Sequence, residues 1–178
     1  MNTAPLHYDR RGIALHWLTA ALVILLWTMG QTIDWFPRGT GRSFYRSLHI
    51  ALGAVLAVTL VLRLQWRLSG GGQLPPAGSG WLRVVSTGTH HALYLLLLAA
   101  VLVGLLNTWV RGDTLFGLWQ IPSPAPDNRA LRHTVGEWHE WAANALIFVA
   151  AVHAGAALWH HHVLRDGVLQ RMLPSLRR

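Results

Sequence analysis

Along the chain, long apolar runs alternate with short polar connections. Four runs stand out: residues 13–33, 44–64, 90–110 and 137–158. At 1.5 Å per helical residue, each matches a hydrocarbon core about 30 Å thick. Apolarity sustained over that length reads as a membrane span rather than one face of a soluble helix. The connections have the opposite character. Residues 1–12 are polar and end in Arg10-Arg11, and the stretch from Ser69 to Gly80 is rich in glycine and proline. Residues 111–136 hold Pro122, Pro124 and Pro126, and connections of that length are often functional. The first run is too long for a cleaved leader, and no small-x-small site precedes Asp34-Trp35-Phe36-Pro37. The pattern predicts an all-α membrane protein, a four-transmembrane-helix bundle forming one domain over residues 1–178 with both termini on the same side.

Composition strengthens this reading. Charged residues make up 12% of the chain, about half the share of a soluble domain. With no cysteine, disulfides, thiolate metal sites, Cys-ligated iron–sulfur clusters and covalent C-x-x-C-H haem attachment are excluded. The net charge of +8 is carried entirely by arginine. These arginines cluster at the ends of apolar runs, so membrane topology explains them and nucleic acid is not an expected partner. Segments on the side of the termini hold nine arginines against Asp9 and Asp166, and the opposite loops hold six against five acids. The positive-inside rule therefore predicts cytoplasmic termini. Trp17, Trp35, Trp66, Trp81, Trp109, Trp138 and Trp159 lie near span ends, as an interfacial aromatic belt requires.

Candidate chemistry lies in the histidines, because ionisable groups inside a membrane are costly and mark functional sites. His139 and His153 are fourteen residues apart in the fourth run, which is about 21 Å and close to four helical turns. Both rings therefore leave the same face, one toward each side of the bilayer. Small residues (Gly136, Ala142 and Ala143; Ala150, Ala156 and Ala157) flank them and leave room for something flat. Depth sorts four histidines into two layers, His49 with His139 toward the outside and His16 with His153 toward the inside. Two imidazoles on facing helices are what axial ligation of a haem needs, and two stacked haems would carry electrons across the bilayer. Gly53, one turn from His49, clears space beside it. Against this stands the plainer reading, interhelical hydrogen bonding by buried histidines.

Several stretches together resemble the bacterial cytochrome b561 family of dihaem inner-membrane cytochromes. They are Tyr8-Asp9-Arg10 with His16-Trp17, Ser47-Leu48-His49, His90 with Tyr94-Leu95-Leu96, Trp138-His139-Glu140 and His153-Ala154-Gly155-Ala156-Ala157, with the tail from His160-His161-His162 to Arg171-Met172-Leu173-Pro174. The fourteen-residue histidine spacing is also similar to that of the cytochrome b subunits of formate dehydrogenases and hydrogenases. The resemblance implies a multi-pass protein of the bacterial inner membrane with two haems b, the outer on His49 and His139 and the inner on His16 and His153. It implies a superoxide oxidase that passes electrons from superoxide to membrane ubiquinone. Two imidazoles per iron leave no open position, which favours electron transfer over oxygen binding.

The outer arginines Arg38, Arg42, Arg46, Arg129 and Arg132 are then candidates to steer a small anion; pairing with Asp34, Asp113, Asp127, Glu137 and haem propionates is the equal alternative. Arg46 is the best propionate contact, and His90, expected to open the third helix with His91, is a haem or quinone contact or an interfacial residue. His160, His161 and His162 read as dipole-favouring residues at a helix C-terminus rather than a metal site. Two other functions compete with the oxidase: a non-catalytic membrane-anchor relay serving a periplasmic redox partner, and a His-rich metal or proton transporter.

Overall fold

The computed structural model describes residues 7–71, 74 and 80–176. Most of the Gly/Pro-rich connection expected between Ser69 and Gly80, and Arg177 and Arg178 of the basic tail, lie outside the described residues. Four long helices follow one another: α1 (Arg10–Thr32), α2 (Thr40–Leu68), α3 (Gly80–Arg111) and α4 (Arg129–Trp159). All four are long and apolar enough to cross a membrane. Between α3 and α4 lies a small antiparallel hairpin, β1 (Thr114–Leu115) and β2 (Trp119–Gln120).

Local chemistry sets the helix ends. Asp9 caps α1, its carboxylate accepting from the Gly12 N–H at 3.0 Å. Burial raises the Asp9 pKa slightly, but the hydrogen bonds from Gly12 and the Trp66 indole outweigh this and hold it below its usual value. Asn128 caps α4 by accepting from Leu131 N–H at 2.9 Å. That cap starts α4 eight residues before the expected Glu137, so Arg129 and Arg132 stand on its first turn and not in a loop. Likewise α3 begins at Gly80; His90 is therefore almost three turns inside the helix rather than at its opening. Sequence hydropathy marks only the part of a helix that meets hydrocarbon, whereas the caps lie in the polar layer beyond.

Within the spans, hydroxyls are satisfied by their own helix: Thr19, Thr28, Thr59 and Thr108 each donate to the carbonyl four residues back. This is how a polar side chain avoids an unpaired donor in hydrocarbon. The core runs through the middle of the bundle and draws on every helix: Leu22 and Leu26, Leu56 and Leu60, Leu97 and Ala100, and Leu146. Many other large apolar residues, among them Ile24, Val58, Leu95 and Phe148, face outward; on four spans these form the surface presented to lipid.

Contact is closest between α1 and α2 and between α3 and α4. The chain ends tie together at one end of the bundle. Tyr8 N–H donates to Arg171 O at 3.1 Å, and the Trp17 indole donates to Met172 O at 3.1 Å. The hairpin closes the opposite end, docked on α2 through Ser47, which is fully buried. The Ser47 hydroxyl accepts from Phe116 N–H at 2.9 Å and has its own proton to share between Ser43 O and Thr114 O.

Candidate cofactor sites in two histidine layers

Helix α4 passes both ends of the bundle, and its two histidines each meet a ring from another helix. At the hairpin end His49 of α2 faces His139, with ring centres 6.2 Å apart. At the end carrying the termini, His16 of α1 faces His153, with ring centres 6.5 Å apart. The structure thus brings together the two pairs expected from depth alone. A metal–imidazole bond of about 2.0 Å, with the nitrogen about 1.1 Å from its ring centre, would place two axial rings about 6.2 Å apart across one iron. Both layers fit that separation.

Hydrogen bonding also fits a metal-ligating outer pair. His139 donates its Nδ1–H to Ala100 O at 3.0 Å, which leaves the Nε2 lone pair free. Nδ1 of His49 is buried without a hydrogen-bond partner among the described residues, so they leave this ring nitrogen uncommitted. Gly104 makes room for His139: a Cβ there would lie 2.9 Å from Cε1 of that ring. A Cβ added at Gly53 would meet nothing within 4 Å.

The inner layer is built differently. Arg63 Nη2 lies 3.0 Å from Nδ1 of His16; a guanidinium can only donate, so this nitrogen accepts. For His16 to offer Nε2 to a metal, its proton must move to Nδ1 and Arg63 must yield. The Tyr94 ring, 5.1 Å from the Arg63 guanidinium, is a second partner already in place. His90 joins this layer, its ring centre 5.2 Å from that of His153. Its Nδ1–H donates to Ser86 O at 2.7 Å, so its Nε2 is the free nitrogen.

The outer arginines divide. Arg42 pairs with Asp34 at 3.0 Å and Arg46 with Asp113 at 3.4 Å. Arg111 approaches the same Asp113 at 3.8 Å. Arg38, Arg129 and Arg132 have no carboxylate partner among the described residues, and Arg132 instead donates to Pro126 O. Glu137 pairs with His133 at 3.2 Å.

Two of the three consecutive histidines, His160 and His161, tie down the chain end. A single π turn, His160–Leu164, stops α4, and Arg165 takes a left-handed conformation at φ 52°. His160 bonds Asp166 and His161 accepts from Gln170. Asp166 feels a small burial penalty that raises its pKa, outweighed by the bonds from His160 and Val168 N–H, which hold it below the usual value. Among the described residues no group of three or more histidines or carboxylates could hold a bare metal ion.

Sequence reasoning missed Arg63 and Gly104 as neighbours of the rings, and Tyr94 as a partner of Arg63. It also left Trp27 unassigned; its indole donates to Asn144 Oδ1 at 2.9 Å, a polar tie between α1 and α4.

Comparison with known proteins identifies the family. The family model described as prokaryotic cytochrome b561 matches residues 7–175. Among similar proteins, cytochrome b561 homolog 2 of Escherichia coli K12 is 30% identical, covering 97% of this chain and 94% of its own. A protein of Yersinia pestis described as probable superoxide oxidase CybB is 31% identical, covering 96% and 97%. Cytochrome b562 of Cereibacter sphaeroides is 30% identical, covering 93% and 94%. With four apolar helices and a family match over nearly its whole length, the chain belongs to the prokaryotic cytochrome b561 family, multi-pass bacterial membrane proteins of electron transfer for which haem b is the implied cofactor.

Proposed function

We propose that this protein carries electrons across the bacterial inner membrane between two haems b, accepting them from superoxide on the periplasmic side and delivering them to ubiquinone. In this reading His49 and His139 hold the outer haem, His16 and His153 the inner one, and both termini face the cytoplasm. The observation that carries it is the pair of ring separations, 6.2 and 6.5 Å, at opposite ends of α4.

Each bound haem supplies a one-electron store whose potential its surroundings set. The residues do the rest. His139 is held in the ligating tautomer by the Ala100 carbonyl, and Arg63 yields the Nδ1 of His16 to a proton. Held by His49 with His139 and by His16 with His153, the irons would offer oxygen no open coordination position. Arg38, Arg129 and Arg132, without carboxylate partners among the described residues, raise the local concentration of a small anion at the outer end. Arg42 and Arg46 contribute less because Asp34 and Asp113 offset their charge, which leaves Arg46 a weaker propionate contact while it stays on Asp113. His90, with a free Nε2 beside His153, would relay a proton to reduced quinone. The relative described as a probable superoxide oxidase supports the choice of substrate.

A membrane-anchor relay for a partner redox protein is the second reading. Mixing purified protein with superoxide and a short-chain quinone separates the two. The oxidase reading expects haem reduction followed by quinol formation. Haems that stay oxidised in superoxide yet are reduced by dithionite leave only the relay, and a preparation with no Soret band removes both. Replacing His139 with leucine should halve the haem content and leave the His16/His153 haem; equal loss of both would reject the layered assignment.

A further inference from the structure

At the end of the bundle that carries the termini, α1 and α2 enclose an open-sided groove of about 520 Å³. Its walls are apolar (Ala14, Leu15 and Leu62) and its rim is polar (Arg11, Gln65 and Ser69). We propose that this groove is a binding site for an anionic phospholipid, one acyl chain lying along the apolar walls and the phosphate at Arg11.

The walls belong to the hydrocarbon-spanning parts of α1 and α2. The rim residues occupy the first turn of α1 and the end of α2, the level where headgroups begin. Arg11 is poised and uncompensated. Its guanidinium lies 5.0 Å from the centre of the Trp66 ring, and it has no carboxylate partner among the described residues. Asp9, two residues before it in the chain, already accepts from Gly12 N–H and from the Trp66 indole at 3.2 Å, so its charge is committed to the cap. That second bond also fixes the indole from the side. Gly71 packs so closely on the ring that a Cβ there would sit 2.3 Å from it. The platform under Arg11 is therefore rigid, and the arginine is presented to the groove without losing much freedom on binding.

Charge complementarity selects the occupant. Arg10, Arg67 and Arg83 lie at the same end of the bundle as Arg11. Basic pockets between transmembrane helices on the cytoplasmic side favour anionic headgroups, at about five-fold per arginine. Ubiquinone has no charge to meet Arg11, and a zwitterionic lipid would bring its own cation toward the arginines.

The test is native mass spectrometry of the full-length, haem-loaded protein in detergent, titrated with phosphatidylglycerol or phosphatidylcholine of identical acyl chains. The wild type should retain phosphatidylglycerol about five-fold better or more. Arg11→Gln should erase that preference, and Ala14→Phe, which fills the apolar part and leaves every charge, should lower retention of both lipids. Arg38→Gln, at the far end, should change neither. Equal retention of the two lipids by the wild type overturns the proposal. So does a preference that survives Arg11→Gln, or inorganic phosphate competing as well as lipid does. Should Arg11→Gln lose its haem, Ala14→Phe decides alone: unchanged phosphatidylglycerol retention overturns the site. None of these outcomes depends on whether superoxide is the electron donor.

Discussion

Gly104→Ala tests the outer layer through a residue that has no chemistry of its own. The added Cβ would lie 2.9 Å from Cε1, 3.2 Å from Nδ1 and 3.6 Å from Nε2 of His139. Ordinary carbon contacts begin near 3.5 Å, so the ring must retreat by roughly half an ångström. It cannot do so freely, because Nδ1–H is bonded to Ala100 O at 3.0 Å on the same helix as Gly104. Overpacking of this kind costs about 1–3 kcal/mol. If the strain falls on the axial bond, the outer haem should be held about five- to 150-fold less tightly, since 1.4 kcal/mol is tenfold. The assay is haem stoichiometry by pyridine haemochrome, with a redox titration of the reduced α-band to separate the two haems. The expected result is partial loss or a shifted potential of one haem while the other is untouched. Gly88→Ala is the control; a Cβ there meets nothing, and an exposed helical glycine gains about 1 kcal/mol by the change. Two unaltered haems in Gly104→Ala would refute the argument, as would equal loss of both.

Three other outcomes are expected. Arg129→Gln with Arg132→Gln should slow reaction with superoxide several-fold at low ionic strength and little at high salt, because exposed charges are screened within about 8 Å at physiological salt; stopped-flow rates at two salt concentrations check this. Ser47→Ala strands Phe116 N–H in a fully buried position and should cost about 1–3 kcal/mol, read as faster hydrogen exchange over 114–120 with haem content unchanged. The hydrogen bonds on the Asp9 carboxylate hold its folded pKa below the usual carboxylate value, so its stabilisation is present above that usual value and is lost as pH falls through the lower, folded one. Thermal melts across acid pH should show this slope in the wild type and not in Asp9→Ala, which also loses about 1 kcal/mol of helix capping.

Much of this protein was legible in the sequence because a membrane simplifies the problem. Unpaired backbone is so costly in hydrocarbon that four apolar runs can only be four helices. Runs joined end to end must also alternate direction, so counting residues from each arginine cluster gave the depth of His16, His49, His139 and His153. Depth and the fourteen-residue interval sufficed to pair His49 with His139 and His16 with His153. Hydropathy could not show where helices continue past the hydrocarbon, so the early start of α4 at Arg129 and the depth of His90 in α3 were missed. Those ends depend on caps such as Asn128, whose side chain matters only once the backbone turns beneath it.

The tertiary structure decided what touches each ring. Nothing in the spacing of α2 or α3 says that Arg63 faces His16, that Gly104 lies under His139, or that Arg46 settles on Asp113 while Arg132 turns to a carbonyl. Such contacts depend on how each helix is rotated about its own axis, and a face turned to lipid carries no polar pattern to report that rotation. Which residues share a layer is a matter of counting along one dimension. Which of them sets the tautomer, the room and the charge around a ring is decided only when the helices pack.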